Sequence, residues 1–128
     1  MLQNLKEMLF RLCGAAGTPG DESEVRAVVQ REFAPYAKTG TDALGNLTAE
    51  IGSKDAKTHL LIDAHLDQIG LIVTGIDDKG FLHVDRCGGT DRRVMPGTAV
   101  TVLGKKPLCG VVCCMPPHLT GGKEEESK

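Results

Sequence analysis

Leu60-Leu61-Ile62-Asp63-Ala64-His65-Leu66-Asp67-Gln68-Ile69-Gly70 is an apolar run that ends by presenting a histidine and an aspartate two residues apart. On an extended strand, residues i and i+2 point to the same face. His65 and Asp67 should therefore emerge side by side where the chain leaves the core. A neutral imidazole beside a carboxylate suits a divalent metal such as zinc, with the ring as ligand and the acid as its orienting partner. The plainer reading is a His and an Asp sharing a hydrogen bond at a strand end, and so short a pattern leaves both open.

Upstream, Leu2, Leu5, Met8, Leu9 and Leu12 fall on one helical stripe interrupted by Lys6, Glu7 and Arg11. This spacing predicts an amphipathic helix rather than a signal peptide. Pro19-Gly20 makes a turn, and Asp21 or Ser23 can cap a second helix whose buried stripe is Val25, Val28, Val29 and Phe33, ending at Pro35. Gly45-Asn46 between two short alternating runs reads as a hairpin. Thr58–Asp63, apolar on both faces in its middle, should be a strand placed centrally in a sheet. Helix, helix, hairpin and central strand make an α/β beginning.

Downstream of Gln68 the pattern predicts no further helix. Leu71–Asp85 should be a hairpin around Asp77-Asp78-Lys79-Gly80. Thr98–Gly104 and Leu108–Met115 should be two more strands. Short strands at close spacing suggest a small β-barrel or sandwich. The composition thus divides the chain into 1–67, mixed α/β, and 68–119, all-β, with a charged tail over 120–128 that should be mobile.

A chain of 128 residues with 41% apolar content can bury a core. Three Phe, one Tyr and no Trp leave few platforms for stacking bases, and a net charge of −2 offers no basic face. These features argue against a nucleic-acid partner. No apolar run approaches the roughly 18 residues of a membrane span. Five cysteines, an odd number without a secretory signal, read as reduced thiols of a cytoplasmic protein.

GTPGDESEVR, DALGNLTAEIG, AHLDQIG with IDDKGFL, GGTDRRVMPG with VTVLGKK, and GVVCCMPPHL, in this order over about residues 4–119, resemble the glutamyl-aminopeptidase family of self-compartmentalising di-metal aminopeptidases. The resemblance implies an α/β metallopeptidase domain interrupted, just after the AHxD motif, by a PDZ-like β-barrel dimerisation insert. It implies that His65 is a ligand of one metal ion, zinc or cobalt, and that Asp67 is the carboxylate that orients it and belongs to the catalytic site. The implied substrate is the free N-terminus of a short peptide, and the implied assembly is a homo-oligomer. Two metals about 3.5–4 Å apart would share a water and polarise the scissile carbonyl, with a Glu as general base.

The family's remaining ligands and its general-base Glu have no counterpart in these 128 residues, so the chain is expected to be an inactive N-terminal portion in which a lone His65 cannot assemble a two-metal centre. Two alternatives stay open. One is a non-catalytic oligomerisation or binding module, and the other is a subunit whose missing ligands come from another chain. Gln68 stands where the family commonly has Glu, which keeps the shape and removes a charge. His59, His83 and His118 match no family ligand. Cys113 and Cys114, being adjacent, should point to opposite faces of a strand and not share an ion with Cys109. GTPGDE lacks the Lys-Ser/Thr of a phosphate loop and reads as turn plus cap. Arg92 and Arg93 read either as an interface loop of the insert or as a solvated turn.

Overall fold

The structure, a computed structural model, describes residues 2–114. His118 and the tail over 120–128 lie outside the described residues. The chain divides into two compact units, one ending at Gly89 and the other starting at Thr90.

In the first unit, α1 (Leu2–Gly14) and α2 (Ser23–Phe33) form where the sequence predicts helices, but of the expected buried stripe of α2 only Val25 and Val28 are buried, with Val29 half-buried and Phe33 exposed. The buried centre is small. Ala15, Val25 and Val28 are its buried apolar residues, and Leu12 and Leu66 pack against them. Only the C-terminal end of the α1 stripe is covered, since Leu2, Leu5 and Leu9 face solvent. Burying each valine contributes about 1.5–3 kcal/mol. Arg11 Nη2 meets Glu32 Oε1 at 2.8 Å between the helices, a half-exposed pair that adds at most about 1 kcal/mol.

The expected cap of α2 is corrected. Its N-cap is Glu22, without a side-chain capping bond. Ser23 instead donates to Asp21 Oδ1 at 3.0 Å, and Glu22 Oε1 accepts from the Gly20 N–H at 2.6 Å. The tight turn joining Thr18 to Asp21 draws these side chains to itself and away from the first helical N–H groups.

Strands β1 (Lys38–Thr41) and β2 (Leu47–Glu50) pair antiparallel. Asp42 organises the turn: its Oδ1 accepts from the N–H groups of Leu44 and Asn46, each at 2.9 Å, and Asn46 Nδ2 donates to Oδ2 at 2.8 Å. Gly45 takes φ +90°, a conformation open to glycine, and its carbonyl receives Arg26 Nη1 at 2.8 Å. That bond ties the hairpin to α2. Strands β3 (Gly70–Ile76) and β4 (Leu82–Cys87) form the second hairpin, with a bulge between Val73 and Gly75. Asp77 Oδ1 holds its turn through the N–H groups of Lys79 and Phe81.

In the second unit, Asp91 caps a 3-10 turn at Arg92–Val94, and its carboxylate grips Arg93 through Nε and Nη2 at 2.7–3.1 Å. That contact raises the Arg93 pKa further. Strands β5 (Ala99–Leu103) and β6 (Pro107–Val111) then pair antiparallel.

One further expectation is corrected. Thr58–Asp63 is not a strand, and Leu60, Leu61 and Ile62 are 85–88% exposed. A strand persists only where neighbouring strands satisfy its backbone groups, and no described strand pairs with this run. After Gln68, β3 pairs with β4 in the first unit and β5 with β6 in the second, each as a two-stranded sheet.

Candidate functional site

The segment after the exposed run is anchored to the loop between the helices. The Gln68 backbone N–H donates to the Gly17 carbonyl at 2.7 Å. Its side-chain Nε2 donates to the Ala15 carbonyl at 3.1 Å. Leu66 turns inward onto Ala15, Val25 and Val28. Leu66 is half-buried there, and the His65 side chain next to it is exposed.

Gly17 makes this approach possible. A Cβ there would fall 2.6 Å from Val25 Cγ1 and 3.7 Å from the Leu66 carbonyl oxygen. Gly70, at the start of β3, similarly leaves room for the Thr18 side chain. The two glycines let the helix–helix loop lie against the chain on both sides of Asp67.

His65 and Asp67 face one another. Nδ1 of His65 lies 3.0 Å from the Asp67 backbone oxygen and 3.1 Å from its Oδ1. Both partners are acceptors, so Nδ1 carries the hydrogen. The neutral ring then keeps its lone pair on Nε2. The imidazole side chain is 85% exposed and that of Asp67 43%. One ring nitrogen is thus held by a carboxylate, as is usual where an imidazole binds a metal through its other nitrogen. The pair fits a metal as one ligand and its orienting partner. No group of three or more His, Cys, Asp or Glu that could hold an ion occurs among the described residues.

The other candidates stand apart. His59 lies in the exposed run, and His83 sits in β4 opposite Gly75, with its side chain exposed. Cys13, Cys87, Cys109, Cys113 and Cys114 are all free thiols. Cys113 and Cys114 follow the end of β6 rather than lying within it, so strand alternation does not govern them. The Gly-rich GTPGDE loop is a turn, as read.

The sequence reading missed the part played by Ala15–Gly17 and the Gln68 side chain. The partner of the Gly17 carbonyl, Gln68, is 51 positions away in the chain. No local pattern encodes such a pairing.

The chain matches the M42 glutamyl aminopeptidase family over residues 45–128. SgcX of Escherichia coli is 36% identical over 124 residues, 94% of this chain and 33% of SgcX. Among solved structures, a TET aminopeptidase from the marine sediment archaeon Thaumarchaeota archaeon SCGC AB-539-E09 superposes with a TM-score of 0.82 at 30% identity. The match covers 92% of this chain and 33% of that one. The TET1 peptidase of Pyrococcus horikoshii, which can assemble into a tetrahedron or a large octahedral shell, gives a TM-score of 0.77 at 36% identity. It covers 95% of this chain and 36% of its own. The chain therefore spans about a third of the length of the relatives it matches. By its sequence and its fold, it belongs to the M42 glutamyl aminopeptidase family.

Proposed function

We propose that this chain contributes a metal ligand, His65, and its orienting carboxylate, Asp67, to a metal-dependent aminopeptidase acting on the N-termini of short peptides. The observation that carries this reading is the His65 ring held through Nδ1, with Nε2 left outward. Zinc or cobalt bound there would polarise a peptide carbonyl and lower the pKa of a bound water. Asp67 keeps the proton on Nδ1 and fixes the ring plane, so that Nε2 is presented in one direction.

A catalytic zinc takes about three protein ligands with one position open, and the described residues assemble one. We infer that the other ligands and the general base come from polypeptide outside the described residues, in the same subunit or in a partner. The β-rich portion after Gln68 is the proposed homo-oligomer interface, by analogy with the assembly of the TET1 relative. We infer a boundary between the catalytic portion and the insert at residues 67 and 68 from the change in composition there.

The test is hydrolysis of aminoacyl chromogenic substrates by the purified 128-residue chain with added zinc or cobalt, beside a nitrogen-15 titration of His65. The reading expects no turnover and a zinc-induced shift at Nε2 of His65. Turnover that survives His65→Ala, or an Nε2 resonance untouched by zinc, overturns it. A stable metal-free dimer whose His65 ignores zinc supports the assembly module instead.

A further inference from the structure

We propose that Gln68 is a positioning residue for the His65–Asp67 pair, acting through the peptide group it shares with Asp67. The proposal deepens the reading of His65 as a ligand and rests on it for its consequence.

The Asp67 carbonyl and the Gln68 N–H belong to one planar, trans peptide unit, so they point in opposite directions from the chain. The N–H is taken by the Gly17 carbonyl at 2.7 Å. The carbonyl oxygen is thereby turned the other way, where it meets Nδ1 of His65 at 3.0 Å. This rigid plate runs from the helix–helix loop to the imidazole. A rotation that broke the Gly17 bond would also carry the Asp67 oxygen off the ring.

The Gln68 side chain makes a second attachment beside the first, with Nε2 on the Ala15 carbonyl at 3.1 Å. Two bonds to carbonyls two residues apart resist the rotation that one bond would allow. Ala15 and Gly17 are both buried, so both acceptors belong to the small core of the first unit or its edge. The side-chain bond needs a donor. A carboxylate or a thioether of similar length cannot supply one. In this chain the Gln68 side-chain amide thus reinforces the backbone hold on the His65 ring, although it touches neither His65 nor a metal.

The experiment uses the full chain with nitrogen-15 histidine, at a pH above imidazole titration. In the unaltered protein His65 should be mostly the Nδ1–H tautomer. Gln68→Met and Gln68→Glu should both weaken that preference, because the Asp67 carboxylate still accepts from Nδ1 while its carbonyl is held less firmly, and the His59 and His83 resonances and the helical signal should stay unchanged. The zinc titration of His65 Nε2 should weaken in parallel. An unchanged His65 tautomer in either folded variant overturns the proposal.

Hydrogen exchange on the unaltered protein gives a readout that does not depend on a variant folding. The Gln68 amide should be protected alongside Val25 and Val28. Exchange as fast as that of Leu60–Ile62 overturns the proposal. If zinc leaves His65 of the unaltered protein undisturbed, the metal reading fails, and the tautomer and exchange results still decide the role of Gln68.

Discussion

A Cβ placed on Gly17 would stand 2.6 Å from Cγ1 of Val25, so the absence of a side chain at one residue sets how closely the helix–helix loop approaches α2. The same residue offers its carbonyl to the Gln68 N–H. Packing in the small core and placement of the His65–Asp67 pair therefore meet at a single position.

Gly17→Ala should lower stability by about 1–3 kcal/mol through overpacking against Val25. It should also release the Gln68 amide to faster hydrogen exchange. Gly14→Ala is the control, because no atom lies within 4 Å of the added Cβ at that helical position. It should be neutral or stabilising by up to about 1 kcal/mol. Urea denaturation of both variants separates the two effects.

Asp67→Ala should weaken zinc binding at His65 by about 10–100-fold, the usual cost of removing a carboxylate that orients a metal-ligating imidazole. Asp67→Asn keeps an acceptor oxygen and should lose less. Isothermal titration with zinc, with His65→Ala defining the background, measures the order.

The Asp42 turn should be sensitive to acid. Hydrogen bonds from Asn46, first its side chain and then its backbone, hold the Asp42 carboxyl below its ordinary value of 3.8. A depressed folded-state value means the unfolded chain binds the proton more readily. The contribution is complete above the unfolded value and fades as pH falls through the lowered one. The protection of the Leu44 and Asn46 amides, measured against their intrinsic exchange rates, should hold at neutral pH and fall as pH drops through the lowered carboxyl value. Asp42→Ala should remove this pH dependence.

Leu60, Leu61 and Ile62 form a contiguous exposed apolar run. Such surfaces associate. The chain should show concentration-dependent association in sedimentation velocity, and Leu61→Lys should shift the distribution toward monomer. Equal sedimentation of the two proteins would remove this run as the cause.

Both helices and all three hairpins were legible because each rests on local rules. The Val25 and Val28 stripe, the Asp42 and Asp77 turns and the Pro35 stop lie within a few residues of what they organise. The HxD spacing likewise placed His65 and Asp67 on one face, and the ordered motifs pointed to the family. The cap of α2 was misread because Asp21, Glu22 and Ser23 compete for the same turn. The central strand was misread because Leu60–Ile62 describe what the segment would bury, not whether a partner strand lies beside it.

The order of residues by itself determined the helices, the hairpin turns and the outward pairing of an imidazole with a carboxylate, since each is decided by backbone geometry over a few positions. Only the tertiary structure decided that the pair is held against Ala15 and Gly17 by Gln68, and that Thr58–Asp63 stays outside any sheet. Both depend on which distant backbone groups come within hydrogen-bond reach, and that is a property of the folded chain rather than of any local pattern.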